Sequence, residues 1–356
     1  MKDEKAHTDY FKGRGAQLNT KNPYLRSEYA AEHPEGIDEP MLENSATRYI
    51  EEFPRKIVNK VDSPDLNLMY SLNPYQGCEH GCIYCYARNS HQYWGYSAGL
   101  DFERNILVKK NAPQLLEDFF NRKSWTGTPI VVSGNTDCYQ PIERKLQITR
   151  RLLEVFLKYR NPVSIITKNA LILRDLDILQ ELNQMDLVHV SVSLTSLNEQ
   201  LRQLLEPRTV TAGGRLKVIA KLSGAGIPVR VMTAPIIPAL NSDEIPRLIQ
   251  AAAEAGASAA GYTMVRLNGA ITQLFEDWVR KSFPDRAEKV LHLIRECHGG
   301  QLSDSRFGTR MRGEGHLAEM VRRLFDTSVS RYLKDRSMRP LNTQRFQRPG
   351  GQLPLF

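Results

Sequence analysis

From residue 128 onward the chain alternates between two kinds of segment, and that rhythm constrains the fold more than any other feature of the sequence. Short apolar runs, "PIVVSGN" (129–135), "VSIITKN" (163–169), "VHVSVSLT" (188–195), "PVRVMTAPII" (228–237) and "SAAGYTMVRL" (258–267), are separated by amphipathic stretches. Runs continuous in Val and Ile need cover on both faces, and helical crossovers supply it, so the pattern predicts a parallel sheet covered by helices. "LNLMYSLN" (66–73) adds a first strand. Six β/α units result, and the expected fold is α/β, an open or partial (β/α)6 barrel.

In the stretch "IERKLQITRRLLEVFLKYR", Ile142, Leu146, Leu153 and Phe156 share one apolar face, which predicts a single helix. Asn198 and Ser242 are the expected N-caps, and "GAG" at 224–226 the expected stop. There is no internal repeat. The polar N-terminal residues show no sustained period, which predicts an arm with little structure over 1–60, ahead of a core over 61–300 and a basic extension over 301–356.

At 356 residues and 41% hydrophobic, the chain can bury one large core or two ordinary ones. Its start, "MKDEKAHTDYFKGRG", lacks the apolar run of an export signal, and no later stretch approaches the roughly 20 apolar residues a membrane span needs. A soluble, cytoplasmic protein without a membrane partner is expected. In a reducing cytosol, five cysteines, three of them clustered, suit metal binding or reactivity better than a disulfide framework. Net charge is +8, and residues 301–356 hold eleven Lys or Arg against five Asp or Glu, a surplus of six. A polyanionic partner fits that surplus, and so does a solvated basic tail.

The cluster is "CEHGCIYCYAR" (78–88), with Cys78, Cys82 and Cys85 directly after the first strand. In such folds ligands gather where strand C-termini feed into loops. Spacings of four and three would let a helix pack the thiols on one face, but Pro74, Gly77 and Gly81 argue for a tight loop. A structural zinc site needs four ligands, so His80 or His91, or Cys138 or Cys297 brought close by the fold, would have to complete it. A 4Fe–4S cluster held by three cysteines leaves one iron open for a substrate or cofactor.

CxxxCxxC with an aromatic residue, Tyr84, immediately before the last cysteine resembles the motif of the radical S-adenosylmethionine (radical SAM) superfamily, over roughly residues 66–300. "NPYQGCEHGCIYCYAR", "GNTDCYQPIE", "EPRT" and "APIIPALNSDE" are similar to its spore photoproduct lyase-like branch, labelled "DNA repair photolyase". The resemblance implies a partial radical SAM barrel. It implies a 4Fe–4S cluster on Cys78, Cys82 and Cys85 that chelates SAM and cleaves it to a 5′-deoxyadenosyl radical, with flavodoxin or ferredoxin as low-potential electron donor. It sets Ser133, Gly134, Asn135 and Thr136 in place of the Gly-Gly-Glu that receives the SAM amino group; a plain strand-to-helix turn is the alternative.

Ser191, Ser193 and Thr195 alternate along the fourth strand. The resemblance implies ribose or carboxylate contacts there, and hydroxyls bonded back to the sheet are equally expected. Arg208 of "EPRT" is a candidate partner of the SAM carboxylate, set against a surface pair with Glu206, and Lys168 is a weaker candidate of the same kind. Cys138 stands where the resemblance places a hydrogen-donating cysteine, although free Cys is commonly buried. Cys297 has no evident role.

The terminal "QLPLF" (352–356) resembles the short peptide with which bacterial DNA-processing proteins dock on the replication sliding clamp, after a glycine-rich hinge. The leading expectation is thus a radical SAM enzyme acting on nucleic acid, in DNA repair or modification. The alternatives are radical chemistry on a protein or metabolite, and a non-catalytic zinc or iron–sulfur module that recruits DNA.

Overall fold

A computed structural model describes residues 11–25, 46–66 and 69–350, so the "QLPLF" tail lies outside the described residues. It contains ten strands: β1 (Arg48–Glu51), β2 (Val58–Lys60), β3 (Tyr70–Leu72), β4 (Tyr75–Gln76), β5 (Asn105–Val108), β6 (Ile130–Val132), β7 (Val163–Thr167), β8 (Val188–Ser193), β9 (Val229–Ile236) and β10 (Ala259–Met264). The main sheet runs β10-β9-β8-β7-β6-β3-β2. All six expected runs carry a strand, and these six pair in parallel, with Leu72 opposite Val132, Val132 opposite Ile165 and Val190 opposite Val229. Only the edge strand β2 is antiparallel. The architecture is the expected partial α/β barrel, and Val and Ile of β6 and β8 are buried because helices cover the outside.

Two expectations at helix ends are corrected. The helix expected across 142–160 breaks at Gln147, which has φ 52°, into Glu143–Leu146 and Ile148–Lys158. The buried Glu143 carboxylate causes the break by accepting the N–H groups of Ile148 and Thr149 at 3.0 and 3.1 Å, which caps the second piece. Ser242 opens a short 3-10 turn, Ser242–Glu244, and the helix proper is Ile245–Glu254. By contrast Asn198 accepts from Gln200 and Leu201 N–H as expected, and Gly226 ends its segment at φ +80°.

The segment 1–60 contributes more than its composition suggests. β1, β5 and β4 form a separate three-stranded sheet, and β4 leads straight into the cysteine loop. Residues 14–16 lie on that loop: Gly15 and Ala16 donate their N–H groups to Glu103 at 3.1 and 2.8 Å. A side-chain carbon at Gly15 would fall 1.7 Å from the Gly81 carbonyl, so only glycine fits.

The C-terminal extension holds the helix Gly315–Tyr332 and then runs across the opposite end of the barrel. Arg336 donates to the Ala253 and Ala257 carbonyls ahead of β10, Arg339 pairs with Asp186 ahead of β8, and Arg348 donates to three carbonyls between Phe120 and Trp125 ahead of β6. Arg306, Arg310, Arg322 and Arg323 pair with carboxylates as well. Arg336 and Arg348 thus bind backbone carbonyls ahead of β10 and β6, whereas Arg306, Arg322 and Arg323 are exposed and pair with carboxylates of the same extension. No described helix is long and apolar enough to cross a membrane.

Glu103 and Arg88 are both 0% exposed and pair at 2.6 Å. Replacing Glu103 with Ala leaves a buried guanidinium and two N–H groups without their acceptor. A loss of about 3–5 kcal/mol is expected in urea melts.

Candidate functional site

The cysteine loop sits at the C-terminal end of the parallel strands. Gly77 and Gly81 take positive φ (80° and 69°), and at Gly77 a side-chain carbon would meet the Asn105 and Phe102 carbonyls at 2.9 and 3.0 Å. The loop is stitched to its surroundings by backbone bonds, Cys78 N–H to Phe102 O at 2.9 Å and Ile83 N–H to Leu205 O at 3.1 Å. Cys78 and Cys82 are buried and Cys85 is half-buried. Burial pushes the Cys78 thiol well up, with Asp137, Cys82 and Cys85 adding to it, and pushes Cys82 up to about 12. Three thiols so placed resist ionisation on their own and suit a cationic centre that holds them as thiolates. The Arg88 N–H closes the turn on the Cys85 carbonyl at 3.2 Å, and the Cys85 N–H on the Cys82 carbonyl at 3.3 Å.

Of the residues that could close a zinc shell, His80 is engaged by other partners, and the buried His91 has no hydrogen-bond partner on either ring nitrogen among the described residues. His80 faces Asp137 at 3.3 Å through Nδ1 and Asn169 at 3.2 Å through Nε2. His91 is buried between Tyr96 and Phe102. Cys138 and Cys297 lie in two separate hydrophobic clusters. Among the described residues no three His, Cys, Asp or Glu side chains surround a single-ion point.

The loop after β6 leans against the cysteine loop. Tyr86 donates its hydroxyl to the Gly134 carbonyl, Asn135 donates to Gln76 Oε1 at 3.1 Å and Ser90 Oγ at 3.0 Å, and Ser133, at φ 69°, accepts from Cys138 N–H at 2.7 Å. Asp137, a residue the sequence reading did not single out, accepts from Thr167 Oγ1 at 2.9 Å and Lys168 N–H at 2.8 Å, which ties the ends of β6 and β7 together behind His80. Its carboxyl is held low: burial opposes ionisation, and His80 with the hydrogen bonds outweighs it.

A second buried network lies beneath Tyr84. Glu206 accepts hydrogen bonds from Tyr84, from Thr195 Oγ1 at 2.7 Å and from Arg215, and Arg215 also donates to the Ser193 carbonyl at 3.0 Å. Lys168 Nζ lies 5.9 Å from the Tyr84 ring centre, and Cys82 and Glu206 hold its ammonium above its ordinary value against the cost of burial. Lys168 is thus a retained cation beside the cysteines. Arg215 and Glu206 are nine residues apart, a spacing that gave no local sign of their pairing.

The structure sets Tyr84 within the cysteine loop and the Ser133–Asn135 turn against it, while Ser193 ends β8 and its carbonyl accepts from Arg215. Arg208 donates its backbone N–H to the His80 carbonyl of the loop at 3.3 Å, while its side chain is exposed and donates to the Gly13 carbonyl at 3.1 Å; Glu206 pairs with Arg215, and the alternative surface pair with Arg208 does not form. The fourth-strand hydroxyl line ends in Thr195, bonded within the protein. Cys138 is 0% exposed beside Tyr139 and Ile142 in the main core.

A family model described as "Radical SAM superfamily" matches residues 72–252, and the chain belongs to that superfamily. It is an enzyme of the radical SAM class. An uncharacterised protein of Mycobacterium tuberculosis is 31% identical over 244 residues, 68% of this chain and 72% of that protein. One of Methanocaldococcus jannaschii is 30% identical over 197 residues, 55% of this chain and 71% of that protein. Among solved structures, a spore photoproduct lyase variant with bound AdoMet and dinucleoside spore photoproduct shares the fold at TM-score 0.61 and 17% identity, over 84% of each chain.

The Glu206 network has a pH consequence. Burial would raise the Glu206 carboxyl, but Arg215, Lys168 and the Tyr84 and Thr195 hydroxyls pull it down to about 2 from 4.5. A depressed folded-state value contributes stability above the unfolded value, roughly 3 kcal/mol at neutral pH, and that contribution is lost as pH falls from about 4.5 towards 2. Urea melts across that window are expected to show the loss in the natural chain. Glu206→Gln should be weaker at neutral pH and lack this part of the acid slope.

Proposed function

We propose that Cys78, Cys82 and Cys85 hold a 4Fe–4S cluster, that SAM binds beside it, and that the enzyme acts on nucleic acid. The observation that carries the reading is the set of three thiols, two buried and one half-buried, on one tight loop at the C-terminal end of the first parallel strand. When bound and reduced, such a cluster supplies the electron that cleaves the SAM sulfonium bond and leaves a 5′-deoxyadenosyl radical. The chain's own residues position and shield. Tyr84 is held by Glu206, Lys168 offers a fixed positive charge for a carboxylate, and the Ser133–Asn135 turn offers backbone and amide groups held against Tyr86.

The nucleic-acid part is supported by the shared fold with a lyase solved with a dinucleoside photoproduct; of the basic extension, the last part, from Arg336 to Arg348, lies at the far end of the barrel. A small flavodoxin or ferredoxin is the proposed electron donor. The terminal "QLPLF" is a proposed clamp-docking peptide, and a synthetic terminal peptide should bind the clamp and lose binding on Phe356→Ala.

Anaerobic reconstitution with iron and sulfide, then reduction with SAM, should yield 5′-deoxyadenosine. Cys78→Ala, Cys82→Ala or Cys85→Ala should each lose the cluster's visible absorbance and that product. A fully loaded cluster that releases none would sink the catalytic reading and favour a non-catalytic metal module. Cys138→Ala tests the proposed hydrogen donor: a changed product distribution supports it, and an unchanged one removes it.

A further inference from the structure

A cleft of about 860 Å³ opens beside the cysteine loop and reaches from Tyr86 and Asn135 to the N-terminal residues 20–24 and the start of the helix Ile271–Ser282. Its outer wall is Tyr24 against Tyr93, with ring centroids 4.9 Å apart and planes inclined by 32°. Both rings are more than half exposed, at 57% and 69%. Exposed aromatic faces standing in a cleft are costly to leave in water and serve a planar partner.

That wall is held in place. The buried Asn22 donates to the Gln92 and Tyr96 carbonyls at 2.9 and 3.0 Å, and Thr20 N–H donates to Ser97 Oγ at 2.7 Å, so residues 20–24 are pinned along the helical turns that carry Tyr93. On the far side Asn89 donates to the Asn268 carbonyl at 2.7 Å and accepts from Ala270 N–H at 3.1 Å, which joins the turn after the cysteines to the loop after β10. The cleft therefore occupies the seam between the first and last barrel units, where a partial barrel is open.

Its chemistry is specific. Apart from Lys21 and Glu276, of opposite sign, the lining consists of amides, hydroxyls, tyrosines and small residues. A phosphate would need a concentration of cations, which the cleft lacks. A nucleobase needs a flat π-face and amide groups for its edge, and both are present. Tyr86 links the cleft to the reaction site, since it follows Cys85 directly and bonds the Gly134 carbonyl.

We propose that this cleft receives a base of single-stranded or unstacked nucleic acid, stacked on the Tyr24–Tyr93 wall and led towards the cysteine loop past Tyr86. The proposal rests on the nucleic-acid reading above and adds the residues that select for it.

The test is binding of a fluorescent deoxythymidine octamer to the full chain at about 0.1 M salt, beside an abasic octamer of the same length. The natural chain should bind the base-bearing strand, and the abasic strand about 10-fold or more weakly. Tyr24→Ala and Tyr93→Ala, made singly on separate segments, should each weaken octamer binding about 5-fold or more, while Tyr24→Phe and Tyr93→Phe should stay within about 2-fold. Equal binding of both strands, or Ala variants that bind like the natural chain, would overturn the cleft and leave the nucleic-acid reading standing. Loss in the Phe variants equal to that in the Ala variants also overturns it, because the ring face would not be the contact. A rise in the KM for SAM without change in octamer binding would assign the cleft to the cofactor instead. No octamer binding by the natural chain removes both this site and the nucleic-acid substrate, and 5′-deoxyadenosine release separately decides the radical chemistry.

Discussion

The buried pair of Arg88 and Glu103 underlies the rest of the site. Arg88 reaches forward to the Cys82 carbonyl at 2.9 Å and sideways to the Ala98 and Gly99 carbonyls, while Glu103 gathers the N–H groups of Gly15 and Ala16. Two charges without water survive only when their remaining hydrogen-bonding capacity is filled. Here that requirement draws three remote segments together: the N-terminal residues, the cysteine loop and the approach to β5. The shape of the cysteine loop follows from it.

Around the loop, charge is arranged so that an electron-rich centre can exist in a low dielectric. Lys168 and Arg215 face it from β7 and from the helix Ala212–Gly224, Glu206 keeps both charged, and Tyr84 and Thr195 satisfy the carboxylate. Asp137 with His80 does the same from the β6 side. Each group is held by hydrogen-bonded partners from a separate segment, which preorganises the site. The basic C-terminal extension takes no part in this. Its last part, Arg336 to Arg348, braces the opposite end of the barrel through carbonyl and carboxylate contacts.

Much of this was legible in one dimension. The six Val- and Ile-rich runs became six parallel strands because burial on both faces leaves little alternative for such segments. The three cysteines and their glycines marked the loop, and Tyr84, Ser133, Gly134 and Asn135 fell beside it because they follow strand ends on one face. The failures have equally local causes. Gln147 breaks the apolar face because the buried Glu143 carboxylate takes the N–H groups of Ile148 and Thr149, and the surface pair of Glu206 with Arg208 does not form because Glu206 is paired with Arg215. Net charge gave no sign that Arg336 and Arg348 are taken up by backbone carbonyls.

The sequence by itself determined the strand order of chemistry: which segments form the sheet, and that three thiols follow the first of them, because periodicity and spacing are local properties of a chain. Only the tertiary structure decided which charges meet, where the N-terminal segment lies, and that tyrosines 24 and 93, sixty-nine positions apart, form one wall. Those contacts join distant segments, and distance along the chain carries no signal of them.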